Sequence, residues 1–213
     1  MKRDGFTMLE VLIAVVIVAL MLVGLNTFIF SMSELWGRGT DVRLFDQHVR
    51  NVTRFMQEEL DRCALPPAGR AGQPAITLQE IRPQNGATEF MLTFEQAQGC
   101  RLTNWPGRAL PDVVCSLSVR EREGLILLWH SRLEKHFEDD PPRETVITPL
   151  VTSISYDYYD TDFKRWATET TFRRDSAGKQ LTPQRLRFKF AYEKLTKETM
   201  VTLPNAAEGL PPF

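Results

Sequence analysis

The chain is poor in the residues that usually carry chemistry. Its 213 residues include three histidines and three cysteines. His48, His130 and His136 are scattered, and no G-x-S-x-G, H-E-x-x-H or Walker sequence accompanies them, so no enzyme is expected. Cys63, Cys100 and Cys115 are an odd set and cannot all pair. They lack the C-x-x-C or Cys/His spacing of a metal site, and no cofactor is expected. In an oxidising compartment Cys100 and Cys115 could bridge a loop of moderate size; the alternative is buried free thiols. The formal net charge is −1 and the pI about 6.3, which gives no reason to expect nucleic acid or an anionic membrane surface as a partner. No internal repeat is present.

The most informative absence is of charge. Residues 11–25 read VLIAVVIVALMLVGL, and the apolar segment extends to 6–30 with its flanks. At a rise of ~1.5 Å per residue such a helix covers the ~30 Å hydrocarbon core. Lys2 and Arg3 precede it, consistent with a cytoplasmic amino end. A secretory signal peptide also has a basic start, but its apolar region is only ~7–15 residues long and ends at a small-residue site. Here Thr27-Phe28-Ile29-Phe30 is bulky.

Glu10 interrupts this pattern. A carboxylate near the start of a spanning helix costs roughly 2.5–3.5 kcal/mol on insertion scales and calls for a partner. No Lys or Arg follows before Arg38. Cutting the chain after Gly5 would create an α-amine on Phe6, and such an amine from a neighbouring copy could neutralise Glu10 in a helical bundle. The stretch GFTMLEVLIA resembles the class III leader and helix start of type IV pilins and type II secretion pseudopilins. The resemblance implies cleavage after Gly5 by a prepilin peptidase, N-methylation of Phe6 and an assembly role for Glu10.

From residue 31 to 63 the apolar pattern becomes striped. Leu35, Val42, Phe45, Val49, Val52, Met56 and Leu60 recur at helical spacing, with Gly39 in the gap, while Arg38, Arg43, Arg50, Arg54, Glu58 and Asp61 lie off the stripe. This predicts an amphipathic continuation of the membrane helix, softened at Gly37 and Gly39. Pro66-Pro67 ends the helical pattern, and residues 64–75 read as a Pro/Gly-rich linker.

Beyond the linker the period is two. Strands are predicted at 76–82, 88–94, 113–119 and 125–130, the last two as a hairpin, with irregular chain at 96–111. Residues 145–159 supply one or two more, with Ile154, Tyr156 and Tyr158 on one face. A shorter aromatic segment follows at 163–172. Leu186, Phe188, Phe190 and Tyr192 alternate with Arg185, Arg187, Lys189 and Ala191, the clearest strand signal in the chain. Residues 199–203 close the sheet. The expected fold is α+β and pilin-like: leader 1–5, transmembrane helix 6–30, amphipathic helix 31–63 packed on an antiparallel β-sheet domain 64–203, and tail 204–213.

Gln57-Glu58-Glu59-Leu60, the stretch PLVTSISYDYYD at 149–160, Trp166 and LTPQRL at 181–186 resemble J-type minor pseudopilins. Gln184 and the long segment between Phe163 and Leu181 depart from that pattern. The resemblance implies a structural subunit of the type II secretion pseudopilus tip, with H-, I- and K-type minor pseudopilins, the major pseudopilin and the inner-membrane assembly platform as partners. The implied placement is a single pass of the inner membrane with the C-terminal domain in the periplasm. PilW-like minor pilins of type IV pili or competence systems share the plan and form the alternative. Two other features could bind ligands. Asp157, Asp160 and Asp162, beside Tyr158 and Tyr159, offer oxygens of the kind calcium prefers, though not at EF-hand spacing; the alternative is a solvated turn. Trp105, Trp129 and Trp166 would serve an adhesin if exposed, and the core otherwise.

Overall fold

The computed structural model describes residues 7–63, 76–84, 86–104, 107–137 and 139–204, with backbone alone for 34–38. The leader, the linker and Trp105 therefore lie outside the described residues, as does the tail beyond Pro204. The chain divides into two compact units, Met1–Gln47 and His48–Phe213.

One helix, α1 (Met8–Asp61), takes up the apolar run from Met8 and the striped segment as far as Asp61. Its helical assignment continues through Gly37 and Gly39. Over Met8–Ser33 its mean hydropathy is 2.9 and none of it is buried, so the first unit presents a long apolar helix to its surroundings. The Thr27 hydroxyl donates to the Val23 carbonyl at 2.9 Å, which satisfies the one polar group in the bulky segment 27–30 without outside help. Further along, the buried stripe comprises Phe45, Val49, Val52, Met56 and Leu60. Val42, expected on that stripe, is 43% exposed.

The second unit holds two antiparallel sheets. The first runs in the order β1 (Ile76–Ile81), β2 (Glu89–Gln96), β3 (Val113–Arg120), β4 (Gly124–Ser131), β5 (Arg143–Thr148). The second has the order β7 (Arg165–Glu169), β6 (Val151–Asp160), β8 (Arg185–Tyr192), β9 (Leu195–Thr202). Only Pro149 and Leu150 separate β5 from β6, so the chain changes sheets within two residues. The β3–β4 hairpin closes with Arg120 opposite Gly124. A Cβ on Gly124 would stand 2.2 Å from the Thr148 carbonyl oxygen, and its φ is +82°, so this corner admits no larger residue. β9 starts earlier than the sequence pattern suggests and pairs with all of β8, from Arg185 opposite Thr202 to Tyr192 opposite Leu195.

The alternation in β8 sends Leu186, Phe188 and Phe190 fully inward. From the other sheet come Leu92, Phe94, Cys115, Leu117, Leu125, Leu127 and Trp129, all buried, and β6 lies against β3 and β4. Each such side chain contributes about 1.5–3 kcal/mol by leaving water. The helical segment from His48 onward is bonded to both sheets. His48 Nε2 lies 2.7 Å from the Thr148 hydroxyl, and the Thr53 hydroxyl donates to that of Thr199 at 2.8 Å. The Gln57 amide donates to the Thr202 carbonyl at 3.0 Å and accepts from its N–H at 2.9 Å, as an extra strand would. Glu59, buried, accepts from the Gln96 amide and, at 2.8 Å, from Arg62.

Candidate functional site

Helix α1 starts with a capping box. Thr7 is the residue before the first helical position, and Glu10 stands three residues on. The Thr7 carbonyl accepts from the N–H of Glu10 at 3.0 Å and of Val11 at 3.3 Å. Glu10 Oε2 accepts from both the Thr7 N–H and the Thr7 hydroxyl, each at 3.3 Å, and the Glu10 N–H reaches the Thr7 hydroxyl at 3.4 Å. The carboxylate thus satisfies a donor that a helix start would leave unmade, and it sits at the positive end of the helix dipole. The sequence signal was the spacing T-x-x-E in Thr7-Met8-Leu9-Glu10, which the reading of Glu10 as a lone acid passed over.

Below this cap the helix is apolar on every side. Glu10 heads a strip formed by Ile13, Ala14 and Ile17, at the spacing that places residues on one helical face. Ile13 and Ile17 are each 49% exposed, half-covered only by their own helix neighbours. In water this surface is unstable, since its transfer out of water is favourable by about 25 cal/mol per Å². A bilayer or a bundle of similar helices is the environment that suits it, and in either the Glu10 charge would be the exceptional group. Gly5 and Phe6, the expected points of cleavage and methylation, lie outside the described residues.

The other candidate residues are dispersed. Asp157 is 1% exposed and accepts from Arg187 Nη2 at 3.0 Å and the Thr168 hydroxyl at 2.7 Å. Asp160 accepts from the N–H groups of Asp162 and Phe163 in the turn after β6, and Asp162 is exposed. Among the described residues no group of three His, Cys, Asp or Glu side chains is placed to hold a metal ion. His48 bonds Thr148, His130 stacks against Phe137 at 4.0 Å between ring centres, and His136 is exposed. Burial holds His130 below its ordinary pKa. Trp129 is buried, and Trp166 packs on Tyr159 with the Arg185 guanidinium 3.8 Å from its ring centre.

In place of a Cys100–Cys115 bridge the structure has three buried free thiols. Cys63 donates to the Glu59 carbonyl at 3.0 Å, and burial, followed by the Glu59 charge, pushes its pKa up to about 12. Burial also raises Cys100 and Cys115. Such thiols are poor nucleophiles.

Residues 1–26 match the family described as the prokaryotic N-terminal methylation motif. No curated protein and no solved structure matches the chain. The motif marks a type IV pilin- or pseudopilin-like start; it implies processing by a prepilin peptidase and assembly with other pilins. With the apolar helix behind it, it points to membrane anchoring.

Proposed function

We propose that this chain is a minor pseudopilin of a type II secretion system, a non-catalytic structural subunit of the pseudopilus tip. The observation that carries the reading is a single acid, capped by Thr7, at the head of an uncovered apolar helix inside a prepilin-type motif. In this reading the chain spans the inner membrane once, amino end in the cytoplasm and β domain in the periplasm. Prepilin peptidase cuts after Gly5 and methylates the amine of Phe6. The assembly platform then moves the helix from lipid into the filament.

The capping box explains how the precursor carries Glu10 into the membrane. Two donors from Thr7 and the helix dipole offset part of the roughly 2.5–3.5 kcal/mol insertion cost. In the filament the remaining charge meets the Phe6 amine of a neighbouring subunit. The J-type assignment rests on the sequence stretches named above, from whose pattern Gln184 departs. Residues 151–160, Trp166 and the lead into β8 sit side by side in the second sheet: Gln184 donates its N–H to the Asp157 carbonyl at 3.0 Å, and its side-chain oxygen accepts from the Tyr159 N–H at 3.1 Å. Gln57 bonds β9 of the same sheet.

The test is processing and co-assembly in the native host. Gly5→Val is expected to accumulate a slower-migrating precursor. Glu10→Ala is expected to be cleaved normally but to recover less of the H-, I- and K-type subunits on co-purification. Thr7→Val, which removes the hydroxyl, is expected to fall between, with Thr7→Ser restored. Equal recovery by wild type and Glu10→Ala would defeat the reading; recovery of pilus subunits in place of pseudopilins would move the chain to the PilW-like minor pilins.

A further inference from the structure

β1 is the edge strand of the five-stranded sheet, and among the described residues no backbone group pairs with its outer side. Proteins guard such edges with lysine, proline or a bulge. Ile76-Thr77-Leu78-Gln79-Glu80-Ile81 has no lysine, proline or bulge and one charge, Glu80, near its end, and its register with β2 runs unbroken from Ile76 opposite Phe94 to Ile81 opposite Glu89.

Alongside it stands a small hairpin. Arg174 bridges Gln180, the Asp175 N–H donates to the Lys179 carbonyl at 2.9 Å, and the Leu181 N–H donates to that of Arg173 at 2.8 Å. Its tip is held by Asp175, whose carboxylate accepts from the N–H groups of Ala177 and Lys179, both at 2.8 Å. Its base is fixed to the second sheet, because the Tyr158 hydroxyl donates to the Leu181 carbonyl and accepts from the Arg173 N–H, each at 3.1 Å. Between strand and hairpin lies a cavity of about 580 Å³. Its floor is Ile76, Leu78 and Phe90, with Phe90 43% exposed. Among the described residues its only charged lining residues are cations, Arg174 and Lys179.

We infer that this slot receives an extended segment of a different polypeptide, which adds a strand to β1, seats an apolar side chain on Leu78 and Phe90 and sets a carboxylate between Arg174 and Lys179. Main-chain bonds supply affinity in this mode, and the alternate side chains supply selectivity. A second copy of β1 is a poor occupant, since Glu80 is its single acid. The inference rests on the β domain alone and stands or fails separately from the secretion reading.

The test uses the full chain in detergent micelles and a blocked octapeptide of alternating Val and Asp, with amide exchange read by mass spectrometry. At saturating peptide, residues 76–81 are expected to exchange about tenfold more slowly. A Val/Lys octapeptide is expected to have no effect. The double variant Arg174→Glu/Lys179→Glu, both positions exposed, is expected to reverse that preference while exchange elsewhere shows the fold intact; Phe90→Ser is expected to weaken both. Absence of slowing with the Val/Asp peptide overturns the inference. So does slowing that ignores the charge reversal. Slowing that grows with protein concentration in the absence of peptide overturns it in favour of self-pairing.

Discussion

Gln57 is where the helix is most directly joined to the second sheet, and its removal gives the sharpest test of how that joint works. Gln57→Leu keeps the side chain's bulk but deletes both bonds to Thr202, the 3.0 Å donor to its carbonyl and the 2.9 Å acceptor from its N–H. A net hydrogen bond contributes about 1 kcal/mol, so the loss is about 2 kcal/mol. The third bond, from the same amide to Asp61 at 2.8 Å, is exposed and adds little. For a domain of this size each kcal/mol moves the melting temperature by about 2–4 °C, which gives a drop of about 4–8 °C. Thermal unfolding of the full chain in micelles, followed by near-ultraviolet circular dichroism, reads the drop. Amide exchange at Thr202 reads its local origin. Gln57→Glu provides the control: it retains the acceptor but faces the Thr202 carbonyl with a carboxylate oxygen, so it should not restore stability at neutral pH. An unchanged melting temperature together with unchanged exchange at Thr202 would refute the idea that this amide acts as a strand.

Three further outcomes are expected. Arg187→Met leaves the buried Asp157 its Thr168 hydroxyl but not the guanidinium bonded to it, and should cost about 3 kcal/mol in urea unfolding, while Asp157→Asn/Arg187→Met should regain most of it; equal losses would show that the pair is not coupled. Stability should fall as pH drops. Burial holds His130 below its ordinary 6.5, so folding favours the neutral ring and loses ground once the pH passes below that value. Hydrogen bonds from Arg143 and Arg120 hold Glu134 and Glu144 below their ordinary 4.5; the stability from ionising them is complete above that pH and is lost as pH falls through their folded values. A urea midpoint that rose on acidification from about pH 6.5 would contradict this. The native protein should show no thiol reacting quickly with a disulfide reagent near neutral pH, and all three should react in denaturant; a fast native thiol would show that the burial of Cys63, Cys100 and Cys115 is misread.

Sequence periodicity was a good guide wherever one face of an element met the core and the other met water. β8 is the clearest case, because Leu186, Phe188 and Phe190 alternate with charged residues. The helical stripe was readable from Phe45 onward for the same reason. It failed at Val42, which is exposed although it continues the spacing, because periodicity marks a face and not how far a partner extends along it. β9 began unnoticed, since Leu195-Thr196-Lys197-Glu198 pairs through its backbone and has few apolar side chains to signal it. The change of sheet at Pro149-Leu150 was hidden because a short link between two β patterns looks the same whether the strands share a sheet or not. At the helix start, the positions of Gly5, Phe6 and Glu10 could be read as a motif. The hydroxyl-to-carboxylate bond from Thr7 required the geometry. The burial of Glu59 against Gln96 and of Asp157 beneath Arg187 depends on contacts between distant segments, which no local pattern records.

The helical segment from His48 onward is bolted to the β domain at successive heights, by His48 to β5, by Thr53 and Gln57 to β9, and by Glu59 to β2. A pull along this segment loads these fastenings together. Such a load is met as shear across several bonds, the arrangement in which hydrogen bonds resist together.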